Sequence, residues 1–190
     1  MSVEVGKSGA KVSAKSQAET VGHQGALLTI VRDVRLLLIA LWLGGAVFFS
    51  GGVAPAAFGV LRSRAVPYAN EAAGSIVTRT LAVINTGGLV IALLLLAGAF
   101  LFRKDVTRRA FLTETISLAL MALATATGQW IIAARMVALR AAMGRPIDEV
   151  AASDPLRVAF DSLHNYSVAA LGVAIIAAAV ALLLIARRTK

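Results

Sequence analysis

Leu36-Leu37-Leu38-Ile39-Ala40-Leu41-Trp42-Leu43-Gly44-Gly45-Ala46-Val47-Phe48-Phe49-Ser50-Gly51-Gly52-Val53-Ala54-Pro55 opens a run that continues to Leu61 and holds 26 residues without a charge. As a helix at ~1.5 Å per residue it measures ~39 Å, more than the ~30 Å hydrocarbon layer of a bilayer, so it crosses with a tilt or a bend. Gly51, Gly52 and Pro55 mark the bend. Proline lacks an amide donor and clashes with the preceding turn, and in a membrane such a break survives where neighbouring helices or a polar cavity satisfy the freed carbonyl. Three more charge-free runs follow, Thr80–Phe102, Thr115–Ala134 and Ser162–Ala186, of 23, 20 and 25 residues. Four runs of that length predict an all-α, polytopic membrane protein, a four-helix transmembrane bundle.

The composition agrees. Of 190 residues, 58% are hydrophobic and 15% charged, against roughly 25% charged in soluble domains, and the mean hydropathy is +0.81. With no cysteine, disulfides, thiolate metal sites and thiol nucleophiles are excluded. Nineteen Lys and Arg against ten Asp and Glu give a net charge of +9. Those basic residues sit mainly at the ends of the apolar runs, where they meet phosphate headgroups. The expected partner is therefore the lipid bilayer and not a nucleic acid.

Residues 1–25 carry Gly, Ser, Lys, Gln and Glu without an apolar period, which predicts a disordered cytoplasmic tail ahead of a transmembrane domain over 26–190. No short apolar segment follows its lysines before the first full span, so it does not read as a secretory signal. The four helices are expected at about 33–61, 77–102, 110–134 and 162–186. Arg32, Asp33 and Arg35 suit the headgroup level at the start of the first. Pro67, Asn70 and Gly74 make the first loop, and Arg103, Lys104, Asp105, Arg108 and Arg109 a basic second turn. The third helix extends past the bilayer through Met136, Arg140 and Met143 until Gly144 and Pro146 stop it. Asp148 to Asp161 reads as an acidic connection.

Helices in lipid associate through small residues that let backbones approach. Ala40 with Gly44, Gly88 with Ala92, Ala124 with Gly128, and the Ala170, Ala174, Ala178 stripe have that spacing. Trp42 falls mid-span as a packed or lipid-facing aromatic, and Trp130 near the outer end as an interfacial one.

Polar groups at membrane depth mark candidate sites. They are concentrated at one end: Arg79, Asn85 and Thr86 on the second helix, Gln129 and Arg135 on the third, and Asp161, His164, Asn165, Tyr166 and Ser167 on the fourth. The bend at Ser50 to Pro55 lies at the same level, which predicts a polar cavity lined by Asn85, Gln129, Arg135, Asp161 and His164. Asp161 and His164 are three apart, and Arg157 and Asp161 four apart, so a helix puts all three on one face. A carboxylate beside an imidazole fixes its tautomer and suits it to proton transfer or to orienting a metal ligand. The alternative is a local anchor of hydrogen bonds and salt bridges. Glu114 is the other acid within a span, about a turn from Arg109, and is expected to snorkel to that basic edge. Tight copper or haem ligation needs two or three convergent ligands. The chain offers His164, with His23 in the tail and Met136 and Met143 nearby, so no cofactor is expected and copper or haem stands as the alternative. No catalytic motif is present: the sequence has no Walker loop, no HExxH and no nucleophile elbow.

The segment from Leu41-Trp42-Leu43-Gly44-Gly45 through Phe49 to Pro55 and Phe58 resembles the first helix of the transmembrane protein 205-like family. Arg135-Met136 and Arg140, then Asp154-Pro155, Phe160, Leu163-His164 and Ser167, look like that family's second signature. The resemblance covers about Arg35 to Leu184 and implies a four-helix integral membrane protein, in bacteria largely of unknown function, with an animal relative associated with drug and metal resistance. The same tryptophan and paired glycines are similar to the first helix of the copper-resistance protein D family, which implies copper handling. That family has further membrane histidines and more helices than this chain.

These features predict a small membrane protein of unknown activity, more simply a non-enzyme, that binds a ligand or partner at its outer polar end or assists transport; the alternative is a metal- or haem-linked redox protein using His164. Four helices without repeats give no alternating path, so transport would require a second copy or another membrane protein. The positive-inside bias sets the orientation. Twelve basic residues in the tail, second turn and C-terminus against seven at the first and third loops predict a bacterial cytoplasmic membrane with both termini inside. Reporter fusions after Lys104 and Lys190 should register cytoplasm and one after Glu149 the outside; reversal at Lys104 overturns the orientation.

Overall fold

The structure is a computed structural model that describes the backbone of residues 5–101, 103 and 107–187, and the side chains of 26–100, 103 and 107–187. Its order is α1 (Val5–Phe48), a π-helical turn (Phe49–Val53), α2 (Ala54–Ser63), α3 (Ala69–Leu101), α4 (Arg108–Ala126), a second π-helical segment (Thr127–Ala133), α5 (Ala134–Met143), a short 3₁₀ turn (Ile147–Glu149) and α6 (Pro155–Ala186). The π turns join α1 to α2 and α4 to α5, so the chain folds into four long helical rods without a strand among the described residues. Each is long and apolar enough to cross a membrane: Ala26–Ser63, Ala69–Phe100, Arg108–Met143 and Pro155–Ala186. The all-α four-helix architecture is the one the apolar runs predict.

Boundaries differ where polar residues lengthen the helices beyond the apolar runs. The second rod starts at Ala69 instead of about 77, and the fourth at Pro155 instead of 162, so half of the expected Asp148–Asp161 connection is helix. Asp154 explains the latter: its carboxylate accepts the Leu156 N–H at 2.8 Å, with Pro155 behind it in the first turn. Thr107 caps α4 by accepting from Ala110 N–H at 3.4 Å. Gly144, at φ 63°, ends α5 where the sequence expects a stop. The backbone over 5–25, expected to lack an element, continues α1. Extending an existing helix carries no nucleation cost, and Ala, Lys, Gln and Glu favour it; residues 1–4 of that expected tail lie outside the described residues.

The predicted bend in the first rod takes the form of the π turn at Phe49–Val53, with Pro55 in the first turn of α2. Pro55 has no N–H to give to the turn before it, and the wider turn, closed by the Ala54 N–H on the Phe49 carbonyl, accommodates it within a continuous rod.

Small residues bring α6 against its neighbours. Ala174, Ala178 and Ala181 are fully buried and Ala177 nearly so, in one cluster with Ile39, Trp42, Ala46, Leu95, Leu118 and Met121. Gly88 shows how close the contact is, since a Cβ there would lie 2.7 Å from the Trp42 indole nitrogen. That nitrogen donates to the Ile84 carbonyl at 2.9 Å, so Trp42 is a packed aromatic, hydrogen-bonded to α3. The Ala40–Gly44 pair does not pack in this way: both residues are exposed, because the burial of Ile39, Trp42, Ala46 and Phe49 turns their face of α1 outward.

Glu114 does not snorkel. It is fully buried on α4, and Arg35 of α1, 5% exposed, donates to its carboxylate from Nη2. The same nitrogen lies 3.1 Å from the Leu95 carbonyl of α3. A Cβ at position 98 would stand 3.0 Å from Arg35 Nε, so glycine there makes room for the guanidinium. Arg35 is thus buried between the helices, held by Glu114. Once both groups are buried, the attraction between carboxylate and guanidinium offsets the cost of desolvating them, which either charge alone would leave uncompensated.

Removing one partner leaves a buried charge alone, so Glu114→Ala should cost about 3–5 kcal/mol in unfolding free energy. The double variant Arg35→Met, Glu114→Leu should recover most of that loss; equal destabilisation by single and double variants would show that the pair is not the cause.

Candidate functional site

At the end of the bundle opposite the Arg35–Glu114 pair, a cleft of about 480 Å³ opens between the first π turn with α2, the start of α3, the second π segment with α5, and the first half of α6. Its walls are mostly apolar, with Phe49, Phe58, Leu81, Phe160 and Leu171 among them. The polar groups on it are Ser50, Thr78, Gln129, Arg140, His164 and Ser167. Both π segments contribute, through Phe49 and Ser50 on one side and Gln129 and Ala133 on the other. A π turn inserts an extra residue and re-aims the side chains after it, which is why such turns recur at functional sites.

Of the five residues predicted to converge, the structure brings Gln129 and His164 together on this cleft. Asn85 is buried at 3% exposure one turn below Leu81 on α3, with its amide against Gly128, so it lies beneath the cleft and does not line it. Arg135 is exposed and is not on the cleft. Neither is Asp161, which holds the Arg157 guanidinium at 3.1 Å in an exposed i,i+4 pair. The expected Asp161–His164 partnership is therefore not formed among the hydrogen bonds of α6. Helical phase explains both misplacements. Ala133, Met136, Val137 and Arg140 repeat at three and four residues on α5, as do Phe160, His164, Ser167, Leu171 and Ile175 on α6; Arg135 and Asp161 each sit one residue, about 100°, off those stripes.

Arg140 is the site residue missed. It shares the Met136 stripe, a signal the sequence held. Its Nη1 meets Glu71 Oε1 at 3.3 Å, its guanidinium lies 5.3 Å from the centroid of the Phe160 ring, and its Nε is buried without a hydrogen-bond partner among the described residues. Met136 also lines the cleft, whereas Met143 does not. Among the described residues no group of three His, Cys, Asp or Glu side chains could hold a metal ion.

The first and third loops are laced together above this end. Asp148 accepts from the backbone N–H of Asn70 (3.2 Å) and of Glu71 (3.0 Å) and from the Asn70 side chain (2.7 Å). It thereby caps α3 from another part of the chain. Glu71 Oε2 in turn accepts the Ile147 N–H at 3.2 Å, and Arg157 Nη1 donates to the Ile147 carbonyl at 2.6 Å. Burial pushes the Asp148 carboxyl up, but the hydrogen bonds from Glu71 and Asn70 outweigh it and hold it below the usual carboxylate range. In the first loop Tyr68 sits at φ 53°, and the polar interaction with the Glu149 carboxylate, together with its negative charge, pushes the phenol up.

Residues 37–145 match the family described as Domain of unknown function (DUF4149), and the chain belongs to that family. No curated protein and no solved structure matches it, so the two likenesses drawn from its motifs have no named relative behind them.

A carboxyl held low when folded stabilises the fold above its unfolded pKa, and that contribution is lost as pH falls through the lowered value. Asp148→Asn should therefore lower stability by about 1 kcal/mol at pH 7 and flatten the fall in stability below about pH 4. Parallel acid limbs in thermal unfolding of wild type and variant would refute the cap.

Proposed function

We propose that this protein is a multi-pass protein of the cell membrane, both termini cytoplasmic, that binds a small, largely apolar molecule in the cleft at its outer end. The observation that carries the reading is the cleft itself. Its volume, about 480 Å³, falls within the ~300–1,000 Å³ of small-molecule sites, and apolar walls with a few convergent polar groups are what such sites have in common. Gln129 and His164 face it from different helices, so one ligand can engage both. Binding, with no chemistry, suits a set in which the carboxylate nearest His164 in sequence is committed to Arg157. Transport would require a second copy or another membrane protein around the cleft.

A copper-handling role is the second reading, favoured by one observation: Met136 and His164 line the same cleft, and a thioether with an imidazole suits Cu(I). It is the weaker of the two, since tight copper sites draw on two or three convergent ligands.

Native mass spectrometry of protein released gently from its own membrane tests both. The first reading expects a bound organic molecule of defined mass that is absent from Gly172→Phe, a variant that fills the cleft from α6. A copper adduct lost in His164→Ala would instead support the second. Identical adducts in wild type and Gly172→Phe would remove the cleft as the site.

A further inference from the structure

We infer that the cleft takes an amphipathic molecule with an anionic head and a single apolar tail, the head at Arg140 and His164 and the tail lying along α6 toward Ile175. The inference rests on the cleft's being a binding site and adds the class of molecule that fills it.

Charge makes the first part of the case. Among the described residues, Arg140 and His164 are the only ionisable ones lining the cleft, and both are bases. Of the acids nearby, Asp161 is held by Arg157, and Glu71 meets Arg140 itself and the Ile147 N–H. Glu71 is an incomplete partner for Arg140. It meets one Nη at 3.3 Å while the buried Nε has no hydrogen-bond partner among the described residues. A guanidinium has five donors, and a desolvated donor without an acceptor is costly. The Nε itself is occluded, so an anion in the cleft would meet the outer guanidinium nitrogens of the partly exposed Arg140 and supply acceptors that Glu71 leaves open.

Shape makes the second. The lining residues of α6 run from Phe160 to Ile175, which is ~22 Å of helix. Arg140 lies one turn from the end of α5 at Met143, at the polar end of that length, and Leu81, Leu171, Gly172 and Ile175 give the wall its apolar character farther along. Of the residues on the wall, Ser50, Pro55, Val137, His164 and Val168 are exposed and form its mouth. A mouth of that composition admits an apolar chain from the side while its head stays level with the helix ends. An inorganic anion would leave the apolar wall unused, and an uncharged hydrocarbon would leave Arg140 unanswered.

Full-length protein in phosphatidylcholine nanodiscs, titrated with dansyl-labelled undecanoate, tests this, with empty nanodiscs as the partition control. The inference expects saturable binding, displaced by decyl phosphate and at least about tenfold more weakly by decanol or by inorganic phosphate. Arg140→Gln should weaken the anionic probes by about tenfold or more and leave decanol unchanged; Arg140→Lys should keep much of the affinity. Glu71→Gln, which breaks the ion pair and keeps the cation, should leave binding equal or tighter. That outcome separates recognition of the head from mere support of the fold, for which Glu71→Gln and Arg140→Gln would lose binding alike. Displacement by an anionic lysophospholipid doped into the nanodisc would identify the bilayer as the source, and its failure would point to a soluble single-chain amphiphile; both support the anionic head. Decanol displacing as well as decyl phosphate, with Arg140→Gln silent, would overturn the inference and leave the cleft standing, whereas full probe binding by Gly172→Phe would overturn the cleft reading as well. Displacement by inorganic phosphate as strong as that by decyl phosphate would also overturn it.

Discussion

The Arg35–Glu114 pair is a charged contact sealed between α1 and α4, with α3 supplying a carbonyl to the same guanidinium. In an apolar surrounding neither charge is tolerable alone, and three of the four rods must therefore keep one relative depth and rotation to hold it. Packing of alanines does not impose that requirement. A face made of Ala174, Ala177, Ala178 and Ala181 slides past its neighbours at little cost, because one small residue replaces another. A buried ion pair has one place to be. Gly98 and Gly88, beside Arg35 and Trp42, are the local concessions that let the two large polar side chains fit between helices.

With that end fixed, the other end is free to differ. Both π-helical turns lie there, at Phe49–Val53 and Thr127–Ala133, and each shifts the phase of the rod beyond it. The helices do not close on one another at this level but leave the cleft, with Phe49, Gln129, Met136 and His164 turned into it. The loops above are held by Asp148 and Glu71, acceptors for backbone N–H groups at the start of α3 and at Ile147. A cavity survives here because its rim is tied across the loops while its floor rests on the Asn85–Gly128 contact.

Much of this was legible in the sequence. Charge-free runs define the rods because every backbone group in a bilayer must be satisfied within a helix, and the Gly51, Gly52, Pro55 cluster locates the first π turn. Gln129 and His164 were legible as polar residues within the apolar runs. Arg135 and Asp161 were misplaced because polarity and depth were read without phase; the three- and four-residue repeat through Met136 and Arg140, and through Phe160 and His164, carries the correction. The fate of Glu114 was hidden for another reason. Arg109 is near it in sequence, and Arg35 is near it only after the chain has folded. The same holds for Asp148, whose partners Asn70 and Glu71 belong to another loop, and for the second π segment, which no proline announces.

The proposed function makes the cleft between the two π turns the place where this protein meets its ligand. Photo-crosslinking in intact membranes with a fatty acid bearing a diazirine and an alkyne, followed by peptide mapping, reads this most directly. The account predicts adducts concentrated on residues 129–140 and 160–175. Adducts spread evenly over outward-facing residues such as Leu41, Val83, Leu123 and Ile176, with no enrichment along the cleft, would contradict it.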